Sequence, residues 1–115
     1  MKVLTGGVLI DGTGADPVSN AGVVIDDDGR ISQVGRLTSP RSGAEIIDVA
    51  GRTIMPGLID CHVHFFVDIR PLQELALTPM SLRVIQATLN AKTTLDAGVT
   101  SVRDALGSPA GFKTA

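Results

Sequence analysis

The chain has 115 residues, 43% of them apolar, with 10 Lys and Arg against 12 Asp and Glu for a formal charge of −2, and it lacks Trp and Tyr. That length suits one domain with a modest core. The charge balance, with no basic cluster and no aromatic stacking platform, argues against a nucleic-acid partner. No apolar run approaches the roughly 20 residues of a membrane span.

The first seven residues are too short and glycine-rich for a signal peptide. The single cysteine, Cys61, excludes an internal disulfide and gives no zinc-ribbon spacing. A cytoplasmic protein is the default expectation.

Residues 1–55 read as strands. Residues 3–10 form a β-rich run that ends in the turn cluster Asp11-Gly12-Thr13-Gly14, with Asp16-Pro17 beyond. The glycines there resemble the opening of a dinucleotide fingerprint, but Pro17 takes the third glycine position and no helix signal follows. Residues 22–25 and 30–35 flank Asp26-Asp27-Asp28-Gly29, a hairpin signal because Asp-Gly tolerates the positive φ of primed turns. The three aspartates are therefore read as a hairpin tip rather than a cation site. A polar loop with Pro40 and Gly43 covers 36–44, and residues 45–49 and 53–55 are two further short strands. Strands this short and regularly spaced predict a small β-sandwich or partial barrel.

The character changes at Pro56-Gly57. The segment Leu58-Ile59-Asp60-Cys61-His62-Val63-His64 reads as a strand covered on both faces, fed by an apolar run from Ile54. Side chains alternate along a strand, so His62 and His64 share one side with Asp60, while Cys61, Val63 and Phe65 take the other. Two neutral imidazoles on one side can converge on a metal ion, and two are half of a site. Asp60 is read as a hydrogen-bond partner that fixes an imidazole, and Cys61 as a small packing residue. Phe65 and Phe66 suit a pocket wall and a loop anchor equally well. Asp68 and Arg70 read as solvated charges.

Residues 65–78 are expected to be a loop with a short helical turn. Thr78 suits a helix N-cap with Pro79 at the first helical position. A helix is predicted over 80–97, with Leu82, Ile85 and Leu89 at helical spacing, Leu95 near its end, and Gly98 as the C′ glycine. Residues 99–104 return to strand, giving a β-loop-α-β crossover. Arg103 and Asp104 fall at the carboxyl end of that strand. There they could touch substrate or orient a ligand, and an ion pair or helix N-cap at the strand exit serves as well. Residues 107–115 show no further helix signal and fail as a phosphate loop, because Phe112 separates Gly111 from Lys113. Two parallel strands are not a stable end point, so the second half reads as the start of something larger.

In order, these pieces resemble the N-terminal part of the amidohydrolase superfamily. The opening strands, the hairpin 24–31 and Asp48-Val49-Ala50-Gly51-Arg52 resemble its small β-sandwich. Residues 56–64 resemble its first barrel strand. Residues 97–104 resemble barrel strand two in the branch of imidazolonepropionase-like proteins and Xaa-Pro dipeptidases.

The resemblance implies a truncated chain: a sandwich portion over 1–55, then the first β-α-β unit of a (β/α)8 TIM barrel over 56–115. It implies a divalent metal, zinc first, held by His62 and His64. It also implies hydrolysis of the C–N bond of a small amide, dipeptide or cyclic amide by metal-activated water. The remaining ligands and the proton-shuttling aspartate are expected beyond residue 115, so no catalytic residue is assigned within this chain and the chain alone is expected to be inactive. The full-length protein could be a homo-oligomer. The rival expectation is a non-catalytic assembly module.

Overall fold

A computed structural model of the chain describes residues 1–38 and 42–114. Pro40, from the expected polar loop, lies outside them. The chain divides into two compact units, Met1–Pro56 and Gly57–Ala115.

The first unit is a five-stranded sheet: β1 (Lys2–Leu9), β2 (Val18–Ile25), β3 (Ile31–Gly35), β4 (Glu45–Asp48) and β5 (Thr53–Ile54). β1 lies at its centre. It pairs antiparallel with β2 on one side, and on the other it pairs in parallel with β4 and then β5. The hairpin expected at Asp26-Gly29 joins β2 to β3. Its turn is closed by Asp26, whose N–H donates to the Arg30 carbonyl (2.9 Å) and whose carboxylate accepts the Arg30 N–H (2.8 Å). Asp27 pairs with the Met1 ammonium. The acidic run is thus occupied with turn and terminus. Asp11 accepts both the N–H (2.9 Å) and the hydroxyl (2.7 Å) of Thr13. These bonds hold its carboxyl below the usual range, and they account for the Gly12–Gly14 cluster as turn chemistry.

The expected sandwich is met by one sheet; a second layer is not found among the described residues. Leu9, Ala21 and Val23 form the buried cluster, flanked by Val18, Ile25 and Ile54. A trough of about 440 Å³ lies over Leu9, Val23, Ile25, Ile31, Val34 and Ile54. Along it Leu9 and Val23 are buried, while Ile31 and Val34 stay exposed.

The second unit contains β6 (Leu58–Val63), α1 (Leu72–Leu77), α2 (Met80–Asp96), β7 (Val99–Asp104) and α3 (Gly111–Thr114). β6 and β7 form a two-stranded parallel sheet with α2 as the crossover. This is the predicted β-α-β unit, and no closed barrel exists among the described residues. Helix α2 ends where Gly98 takes φ +89° and its N–H reaches the Leu95 carbonyl (2.9 Å), the left-handed stop that a glycine adopts without Cβ strain.

Three expectations are corrected from residue 54 onward. The apolar run 54–59 is broken: Ile54 belongs to β5 and Leu58 opens β6, because Pro56 supplies no N–H to a ladder. Thr78 does not cap α2; its hydroxyl donates to the Glu74 carbonyl (2.9 Å) as it closes α1, and Pro79 occupies the N-cap position without a side-chain bond. The helical spacing of Leu82, Ile85 and Leu89 is met, and that stripe lies open among the described residues. Leu82, Ile85 and Leu89 stay 53–59% exposed, whereas Ala87 is fully buried because a small residue lets the helix approach closely. Residues 111–114 form the one-turn α3, which seats Phe112 edge-on against Phe65 and Phe66 with centroids 5.9 and 5.1 Å away.

Candidate metal centre

His62 lies near the end of β6, and His64 follows its last residue. Both side chains are exposed, and their Nε2 atoms stand 3.2 Å apart with the rings 85° from parallel. Alternation along β6 brings them together as the sequence predicts.

The pair suits a metal. With zinc–nitrogen bonds of roughly 2.0–2.1 Å, nitrogens this far apart subtend about 100° at the ion, near the tetrahedral angle. Neutral imidazoles are suitable zinc donors. Zinc sites take three or four protein ligands, and no cluster of three or more His, Cys, Asp or Glu occurs among the described residues. The structure thus brings two imidazoles together at the end of β6.

Asp60 acts on the backbone rather than on an imidazole. Its Oδ1 accepts the His62 N–H at 3.0 Å, where the β6–β7 register slips between Asp60 and Val63. A carboxylate two residues before an N–H closes an Asx-type turn more readily than it reaches a ring further along the strand. Cys61 is exposed rather than packed. Asp68 and Arg70 form an exposed forked pair, with Arg70 Nη2 and Nε donating to Asp68 Oδ2 at 2.7 and 2.9 Å. That pairing lowers the Asp68 pKa and raises that of Arg70.

Asp104 serves the strand exits. Its Oδ2 accepts the Phe65 N–H (3.1 Å) and the Ser108 hydroxyl, and its Oδ1 accepts the Leu106 N–H (3.0 Å). Partial burial pushes its carboxyl up. The Ser108 hydroxyl, the Phe65 and Leu106 amides and the charge of His64 outweigh that push, so its pKa lies below the ordinary value. Arg103 is exposed and, by alternation, on the other side of β7 from Asp104.

Phe65 and Phe66 are anchors: they are 8% and 4% exposed and pack with Ala87. Their carbonyls are held from α2. Asn90 Nδ2 donates to Phe65 O (3.1 Å), and Arg83 Nη2 donates to Phe66 O (3.1 Å). Ser108, Asn90 and Arg83 escape a reading that looks for chemistry at strand ends. The signal available for two of them was the polar spacing Arg83, Asn90 about Ala87 on one side of α2.

A parallel β-α-β unit with paired histidines where its first strand ends defines an α/β protein of the crossover class. A sequence profile of the amidohydrolase family matches residues 53–112, and the chain belongs to that family. It is 40% identical over 60 residues to an enamidase from Eubacterium barkeri, over 50% of this chain and 16% of that enzyme. It is 43% identical over 54 residues to an imidazolonepropionase from Rhizobium rhizogenes, over 44% of this chain and 13% of that one. Among solved structures, a prolidase complexed with N-methylphosphonate-L-proline superimposes with a TM-score of 0.89 at 36% identity, over 98% of this chain and 28% of the prolidase. The chain therefore spans about a sixth of the enamidase and just over a quarter of the prolidase.

Proposed function

We propose that this chain carries the first half of the metal site of an amidohydrolase that cleaves C–N bonds in small amides, dipeptides or cyclic amides. His62 and His64 serve as two ligands of a divalent ion, zinc first. The observation that carries this reading is the 3.2 Å separation of the two Nε2 atoms at the end of a parallel strand, the end at which barrel enzymes place their chemistry. Bound there, such an ion supplies Lewis acidity towards a carbonyl and acidifies water. The chain's part is to present two imidazole lone pairs at a fixed spacing and to keep the backbone beneath them rigid. The units Met1–Pro56 and Gly57–Ala115 are read as the sandwich portion and the barrel's opening strands, in a cytoplasmic protein. A dipeptide ending in proline is favoured as substrate by the likeness to the prolidase, and a cyclic amide by the likeness to imidazolonepropionase.

With two ligands and no proton-shuttling aspartate assigned, residues 1–115 by themselves are expected not to turn over substrate. The test is calorimetric titration of the chain with zinc against the double variant His62→Ala/His64→Ala. Loss of binding in the variant supports the reading, and equal binding by both removes it. A second reading, a non-catalytic assembly module, is favoured by the apolar side chains left open on β6 and β7, where Ile59 is 71% and Val102 40% exposed.

A further inference from the structure

We propose that Asp104, together with Ser108, is a positioning residue that holds His64 in place through the Phe65 amide; this rests on the reading of His62 and His64 as metal ligands. The backbone around the two histidines is tied at successive polar groups. Asp60 takes the His62 N–H, and Ala105 N–H reaches the Val63 carbonyl (2.9 Å). Asp104 takes the Phe65 N–H, Asn90 the Phe65 carbonyl and Arg83 the Phe66 carbonyl. Phe65 and Phe66 are buried on the same stretch.

His64 sits just past the last residue of β6, where the ladder no longer restrains it. The next backbone donor, Phe65 N–H, is gripped by a carboxylate projecting from β7. Ser108 in turn donates to the same Oδ2, and the Leu106 amide holds Oδ1, so the carboxylate is itself oriented by two further donors. A carboxylate that accepts several N–H and O–H bonds is a rigid fixture. Outer partners bonded directly to an imidazole ligand are typically worth about 10–100-fold in metal affinity; Asp104 acts one step removed, through the main chain, so the low end of that range applies to it. Asp104 touches neither substrate nor metal in this account; it acts through the main chain.

The test uses the 115-residue chain with zinc ions alone, and compares Asp104→Asn and Ser108→Ala with the unaltered protein. Three readouts are taken: amide exchange at Phe65 and Leu106, ¹³C relaxation of the His64 ring in the metal-free chain, and the zinc dissociation constant. In Asp104→Asn we expect faster exchange at both amides, a more mobile His64 ring and zinc binding weaker by about tenfold, with amides in the middle of α2 still protected. Ser108→Ala leaves the carboxylate charge in place and should move all three in the same direction by less. It carries the test by itself if Asp104→Asn does not fold. An unchanged His64 ring and zinc constant in the folded variants would overturn the proposal. If the unaltered chain binds zinc no better than His62→Ala/His64→Ala, the metal reading fails separately. The positioning claim is then judged on the ring: mobilisation supports it, and an unaltered ring overturns it.

Discussion

Replacing Gly57 with alanine tests how closely β6 and β7 approach. A Cβ at Gly57 would lie 1.9 Å from Thr100 Oγ1, 2.3 Å from its Cγ2 and 2.6 Å from its Cβ. Rotation about χ1 can swing Oγ1 and Cγ2 aside, but Thr100 Cβ is fixed to the backbone, so the strands must move apart. Overpacking of this kind typically costs 1–3 kcal/mol. Because one of the three overlaps cannot relax by side-chain rotation, about 2–3 kcal/mol is expected, a 30-fold or greater fall in the folded population of this unit.

Thr100→Ala removes two of the three overlaps and should recover part of that loss. Thr100→Gly removes all three, against roughly 0.5–1 kcal/mol for a glycine within a strand. The assay is urea unfolding followed by far-UV circular dichroism, which is dominated in this unit by α2. The double-mutant cycle should show a coupling near 2 kcal/mol. Full stability in Gly57→Ala, or the same penalty when Thr100 is already glycine, would refute the reasoning.

Phe112→Ala removes two edge-to-face contacts, each worth about 0.5–1.5 kcal/mol. Hydrogen exchange at Phe65 should accelerate about fivefold or more, and an unaltered rate would count against the anchoring role of α3. The Asp104 carboxyl lies below its ordinary value in the folded chain, so its contribution to stability is present above the unfolded value near 3.9. That contribution is lost as pH falls through the depressed folded value. Protection of the Phe65 and Leu106 amides should therefore hold from neutrality down to about pH 4 and decline below it, and a loss centred near pH 6 would point to another group. Among the described residues the two-stranded parallel sheet leaves both strand edges unpaired and exposes Leu58 (51%) and Ile59 (71%), the kind of edge that pairs with another chain. Light scattering should show association that grows with concentration, and a monodisperse monomer at high concentration would contradict it.

Local rules carried the sequence reading where one element decides the outcome by itself. Strand alternation puts His62 and His64 on one side whatever surrounds them. Asp26 and Gly29 close a hairpin between β-branched runs. Gly98 ends α2 because no other residue enters the left-handed region so cheaply. Family membership was legible in the same short, ordered segments.

Tertiary structure decided what depends on partners remote in the chain. That β1 accepts β4 and β5 in parallel could not be read from either strand, since pairing partners are chosen by the sheet as a whole. The side of α2 that meets Phe65 and Phe66 was settled by closeness of approach, with the small Ala87 buried there. The bond from Asp104 to the Phe65 amide spans 39 positions. A carboxylate at a strand exit can serve a ligand, an ion pair or a neighbouring amide, and only the placement of β6 beside β7 selects the amide.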